Sequence, residues 1–120
     1  MKFGIFYELQ LPRPLHPGDE QTLYQNALSQ IERADKLGYD HAWQVEHHFH
    51  DEYAHSPAPE SFLAAASQRT KNIRLGHGIC QLTTNHPARA AEPDTAAFNE
   101  RSDINMAKIR PVVPATIAAK

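Results

Sequence analysis

Apolar and polar positions change period several times along the first two thirds of the chain, and each change marks an element. Lys2 to Tyr7 (KFGIFY) is β-rich and apolar on both faces, the pattern of a strand buried on both sides. A loop follows, ELQLPRPLHPGDE, in which Pro12, Pro14 and Pro17 oppose regular structure. Asp19 stands where a helix cap belongs. Leu23, Ala27, Ile31, Ala34 and Leu37 then recur at helical spacing, with Leu28 widening the stripe, until Gly38 takes the C-terminal cap position. Asp40 to His48 (DHAWQVEHH) predicts a second strand, and FHDEYAHSPAP a loop. Pro59 and Glu60 suit the first turn of a second helix, where proline loses no hydrogen bond and a carboxylate favours the dipole. Lys71 and Asn72 end that helix, and Ile73 to Gln81 (IRLGHGICQ) predicts a third strand interrupted by Gly76 and Gly78.

Strand, helix, strand, helix, strand with short αβ turns and longer βα loops predicts parallel βαβ units. Right-handed crossovers place the βα loops at one end of the sheet. That end gathers His16, His47, His48, His50, His55 and His86. It is the carboxyl end, where α/β sheets and barrels form their sites. Beyond it the pattern fails. HPARAAE reads as the opening of a third helix, but Pro93 disfavours helix at Glu92. From Asp94 onward there is no glycine and only a weak stripe through Ala97, Ile104 and Ala107, and IRPVVPATIAAK reads as extended or disordered. The expected division is residues 1–92 as one α/β unit and 93–120 as a divergent tail.

Composition narrows the function classes. A chain of 120 residues with 41% hydrophobic and 22% charged residues suits one small globular domain. A net charge of -2 gives no broad attraction for nucleic acid or anionic membrane. Cys80 is the only cysteine, so no intrachain disulfide forms and a cytoplasmic setting is expected. The N-terminus lacks the long apolar core of a signal peptide, and no apolar run has membrane-spanning length.

The densest chemistry is Val45 to Tyr53, VEHHFHDEY. A metal site is one reading, but His47 and His48 are adjacent and on a strand point to opposite faces. His48 and His50 share a face, and a third ligand has to come from Asp51, His55 or elsewhere. An acid/base site needs only one imidazole and a carboxylate such as Glu46 to orient it. Alternatively Glu46 and one histidine are a satisfied buried pair. His50, Asp51, Glu52 and His55 read as solvated loop residues. For Glu46, His47 and His48 the residues alone leave the acid/base and buried-pair readings open.

Taken in order, KFGIFYE, LGYDHAWQVEHHF, SPAPESFLAAASQRTKNIRLGHGI and NHPARAAE resemble the N-terminal part of the bacterial luciferase-like flavin monooxygenases over residues 1–92. The resemblance implies the first part of a (β/α)8 TIM barrel, about three βα units, in a protein that is commonly dimeric. It implies reduced FMN, or a deazaflavin, supplied by a separate flavin reductase, with oxygen and a small organic molecule as substrates. His47, first histidine of EHHF, takes the place of the family's acid/base residue, flanked by Glu46 and His48. Oxygen chemistry on reduced flavin has to be kept from water and given a placed proton donor, which one histidine can supply without a metal. Gly78 and Ile79 match the place where the family often has a non-prolyl cis peptide beneath the flavin. Asn85, His86 and Arg89 stand where its strand-three loop nears flavin or substrate. The plainer readings are glycines that let the chain bend and an arginine on an exposed helix.

The segment PDTAAFNERSDINMAKIRPVVPATIAAK does not align with that family, and a complete barrel takes at least ~200 residues. The expectation is therefore a truncated or frame-shifted reading of a longer gene. Two functions follow: flavin-dependent monooxygenase chemistry, or an inactive partial barrel. The second would act by association with itself or a homologue through open strand edges and the small-residue helix SFLAAAS.

Overall fold

The computed structural model describes residues 1–50, 52–79, 81, 83 and 86–88. Its elements run β1 (Gly4–Tyr7), α1 (Asp19–Lys36), β2 (His41–Gln44), α2 (Pro59–Arg69) and β3 (Arg74–His77), in the order the hydrophobic periods predict. The three strands form one parallel sheet in the order β1-β2-β3. Gly4 lies opposite His41 and Arg74, and Tyr7 opposite Gln44 and His77, so the three strands end level with one another. The boundary expected at residues 92 and 93 lies outside the described residues.

Alternation along each strand gives the sheet two different faces. Ile5, Tyr7, Ala42, Gln44, Leu75 and His77 lie on the face toward the helices. There Tyr7, Ala42 and Leu75 join Ala27, Leu28, Ile31, Ala34, Phe62, Leu63, Ala66 and Ile73 in one core. Ile31, Leu63, Ile73 and Leu75 are at most 2% exposed, each contributing about 1.5–3 kcal/mol of burial. Gly4, Phe6, His41, Trp43, Arg74 and Gly76 lie on the other face. The expectation of a first strand buried on both sides is corrected here, because Phe6 is 55% exposed on that second face.

The α1 stripe packs as its spacing predicts, except at the end. Leu37 is the C-cap residue and turns outward, while Ala27, Leu28, Ile31 and Ala34 are buried. Gly18, in the left-handed region, occupies the N-cap position. Asp19 is the first helical residue, and its carboxylate accepts the His16 backbone N–H at 2.7 Å, which lowers its pKa. Gly38 has φ 82°, where a side chain would be strained. Its N–H donates to the Asp35 carbonyl and that of Tyr39 to the Ala34 carbonyl, the paired closure of a Schellman motif. Pro59 opens α2 as expected, with Glu60 in the first turn.

One buried carboxylate joins the two βα units. Asp35 accepts backbone N–H bonds from Lys71, Asn72 and Ile73 at 2.8, 2.7 and 2.6 Å. These donors follow α2, so the end of α1 orders the turn that launches β3. Among the described residues no helix is long and apolar enough to cross a membrane.

Candidate active site

The strands end earlier than their apolar runs suggest, and the residues released from pairing build the site. Val45 still donates to the Tyr7 carbonyl at 3.3 Å, after which β2 leaves the ladder and the His47 N–H donates to the Ser56 carbonyl at 2.9 Å. Glu46, between them, is only 4% exposed. Its Oε1 lies 3.1 Å from His48 Nε2, and its Oε2 accepts the Gln81 backbone N–H at 3.1 Å. The Gln81 side-chain amide donates to the Glu46 carbonyl at 2.9 Å. Glu46 thus ties the end of β2 to the segment after β3.

His47 turns the other way, as neighbours on an extended segment do. Its Nε2 lies 3.6 Å from Glu8 Oε2 at the end of β1, an ion-pair distance too long for a good hydrogen bond. Its ring meets those of His50 and Tyr53 edge-on, with centroids 5.5 and 5.6 Å away. The carboxylate beside His47 is therefore Glu8, while Glu46 serves His48. An open hollow of about 460 Å³ is lined by His47, His50 and His55 from the β2–α2 loop and by Glu20 from α1. His55 Nδ1 is 3.1 Å from Glu20 Oε1, and Glu20 is exposed there.

The strand-three residues lie on the open side. A Cβ on Gly78 would sit 2.8 Å from the Phe6 ring, so glycine there lets that ring lie against the backbone. Phe6 is 55% exposed and, with its register neighbour Trp43 partly buried, gives an apolar surface on the face away from the helices, while Ile79, following Gly78, is 52% exposed. Such a surface fits the flat face of an aromatic ring such as a flavin's. The Gly78–Ile79 peptide is not cis; among the described residues the one cis peptide joins Arg13 and Pro14. His86 is exposed and its Nδ1 accepts the Ala88 N–H at 3.2 Å, capping the helical turn at Pro87 and Ala88. Asn85 and Arg89 lie outside the described residues. Among the described residues no group of three or more His, Cys, Asp or Glu side chains could hold a metal ion.

Two residues emerge only from the fold. Glu8 becomes a site residue because β1 and β2 end level. His77 is 6% exposed at the end of β3, facing α2. Burial lowers its pKa, opposed by the nearby Glu60 and Glu46 carboxylates. Its two glycine neighbours made the segment read as a bend rather than a site.

The profile of the luciferase-like monooxygenases matches residues 1–100. The chain belongs to the luciferase-like monooxygenase family. It is 36% identical over 94 residues to the 4-hydroxyprotoasukamycin monooxygenase of Streptomyces nodosus, covering 76% of this chain and 24% of that protein. It is 30% identical over 115 residues to the oxygenase component of a flavin-dependent trigonelline monooxygenase from Acinetobacter baylyi, covering 90% of this chain and 30% of that one. Among solved structures it resembles monooxygenase RslO1 from Streptomyces bottropensis, with TM-score 0.72, 33% identity and coverage of 92% and 32%. It also resembles the oxygenating constituent of 3,6-diketocamphane monooxygenase from Pseudomonas putida, solved with FMN, with TM-score 0.66, 25% identity and coverage of 76% and 24%. The chain spans about a quarter of the length of the first curated relatives it matches. Within the family, β1 to β3 are the opening part of a TIM barrel.

Proposed function

We propose that the carboxyl end of this sheet is the reduced-flavin side of a monooxygenase that uses oxygen and a small organic substrate. The observation that carries the reading is the exposed Phe6 ring against Gly78, with exposed Ile79 next in the chain and the buried Glu46 carboxylate holding the Gln81 N–H two residues further on. A deazaflavin would serve hydride transfer without oxygen, whereas reduced FMN supplies the electrons when bound. One oxygen atom then enters the substrate and the other leaves as water. The FMN found with the camphane relative supports FMN as the first choice. The relatives described as an oxygenase component and an oxygenating constituent support a separate reductase as electron source. The single cysteine supports a cytoplasmic setting.

In this reading His47 is the acid/base group, holding or releasing a proton at Nε2 beside Glu8. Glu46 orients His48 and holds the segment containing Gln81. Gly78 and Ile79 carry the ring, and Asn85, His86 and Arg89 are the proposed further contacts to flavin or substrate.

The test is rapid mixing of reduced FMN and excess chain with aerated buffer. The oxidation trace should differ from that of free flavin, and His47→Ala should alter it while leaving the circular dichroism unchanged. A wild-type trace identical to free flavin would count against the reading. It would favour instead an inactive partial barrel that associates with a second copy or a homologue, a reading supported by the exposure of Phe6 and Ile79.

A further inference from the structure

Beneath the candidate site lies a layer of buried polar side chains that the chemistry above does not use. Gln44 is 0% exposed, Ser56 2% and His77 6%. The Gln44 Nε2 donates to Ser56 Oγ at 2.6 Å, and Ser56 Oγ donates to the Val45 carbonyl at 2.5 Å. The Ser56 carbonyl accepts the His47 N–H at 2.9 Å. A single residue of the β2–α2 loop therefore grips the backbone immediately before and immediately after Glu46.

Among the described residues, two polar atoms beside this chain of bonds lack partners: Gln44 Oε1 and His77 Nδ1 are both buried without a hydrogen bond. Gln44 and His77 are register partners on adjacent parallel strands, and both face the helices. Side chains at such positions stand side by side. A buried amide oxygen accepts only, and leaving it unpaired costs more than a typical hydrogen bond contributes. Burial keeps His77 toward its neutral form, so its ring carries one proton that can sit on Nδ1. A donor on one side and an acceptor on the other make a polar place for one water.

We propose that Gln44, Ser56 and His77 form a buried strut that positions Glu46 and His47, closed by one water between Gln44 Oε1 and His77 Nδ1. These are positioning residues, and their purpose rests on the reading of Glu46 and His47 above. The strut links the ends of β2 and β3 to the β2–α2 loop, so the site's geometry is set by the layer under it rather than by the exposed loop.

The test needs no flavin, so its failure is separate from failure of the flavin reading. In ¹⁵N-labelled chain, imidazole nitrogen shifts at neutral pH should show His77 as the Nδ1–H tautomer with a slowly exchanging proton. In Ser56→Ala, amide exchange at His47 should accelerate about tenfold, with loss of the cross-relaxation contact between the His47 and Tyr53 rings. Ser56→Thr, which keeps the hydroxyl, should restore both. Should Ser56→Ala fail to fold, Gln44→Met tests the same link and should also accelerate the His47 amide. A bare His77 Nδ1, or a His47 amide unchanged in the folded variant, overturns the strut.

Discussion

The two ends of the sheet solve the burial of polar groups differently. At the amino end, Asp35 is buried and its carboxylate satisfies three consecutive backbone donors, while Gly38 closes α1 with paired backbone bonds. Asp40 Oδ2, also at that end, is the one buried side-chain atom there without a hydrogen bond among the described residues, and it lies 2.6 Å from His41 Nδ1. At the carboxyl end, Glu8 Oε2, Gln44 Oε1, His55 Nε2 and His77 Nδ1 are buried without hydrogen bonds among the described residues. Buried polar atoms left over in a folded protein ask for a water, a ligand or a reaction. The comparison teaches that one end of these βα units holds the fold and the other is arranged for chemistry, as barrel architecture leads one to expect.

The largest expected effect lies at the finished end. Asp35→Ala strips an acceptor from three backbone donors and should cost about 3 kcal/mol or more, read from urea unfolding. Asp35→Asn, which keeps one acceptor oxygen, should cost about half as much. A loss below ~1 kcal/mol for the alanine variant would break the contrast.

Next comes pH. Burial lowers the folded His77 pKa from 6.5, so below that value the unfolded chain binds the proton more readily. The stabilisation is therefore complete above about pH 6.5 and is lost as pH falls toward the folded pKa, with a slope of at most ~1.4 kcal/mol per pH unit. His77→Gln should flatten that slope in unfolding curves taken between pH 7 and pH 5, about the range concerned. Gly38→Ala comes after, at about 1 kcal/mol, because the cost is only that of a side chain at φ 82° with open space around it. The smallest stability change belongs to His47→Ala, within about 0.5 kcal/mol, since its side chain is 27% exposed and only loosely paired. A large loss there would make His47 a structural residue and blur the difference between the ends.

Much of this layout is legible in the residues. The helical stripe from Ala27 to Ala34, Gly38 at the close of α1 and Pro59 at the start of α2 are local signals, and local backbone preferences enforce them. The carboxyl-end location of Glu46, His47 and His48 also follows from element order. What is not legible depends on contacts between units. Which carboxylate serves which histidine is decided by β1 and β2 ending level, which brings Glu8 to His47 and leaves Glu46 for His48. The exposure of Phe6 reflects a sheet face that these units do not cover, which a strand's own pattern cannot register. His77 is hidden for a similar reason: its burial comes from α2, not from its glycine neighbours.

The central claim, that the carboxyl end is a flavin site, is tested most directly by anaerobic titration of the 120-residue chain with reduced FMN, followed by absorbance and fluorescence. The account predicts saturable binding that weakens when Gly78→Ala displaces the Phe6 ring. No saturable binding to the folded chain would contradict it.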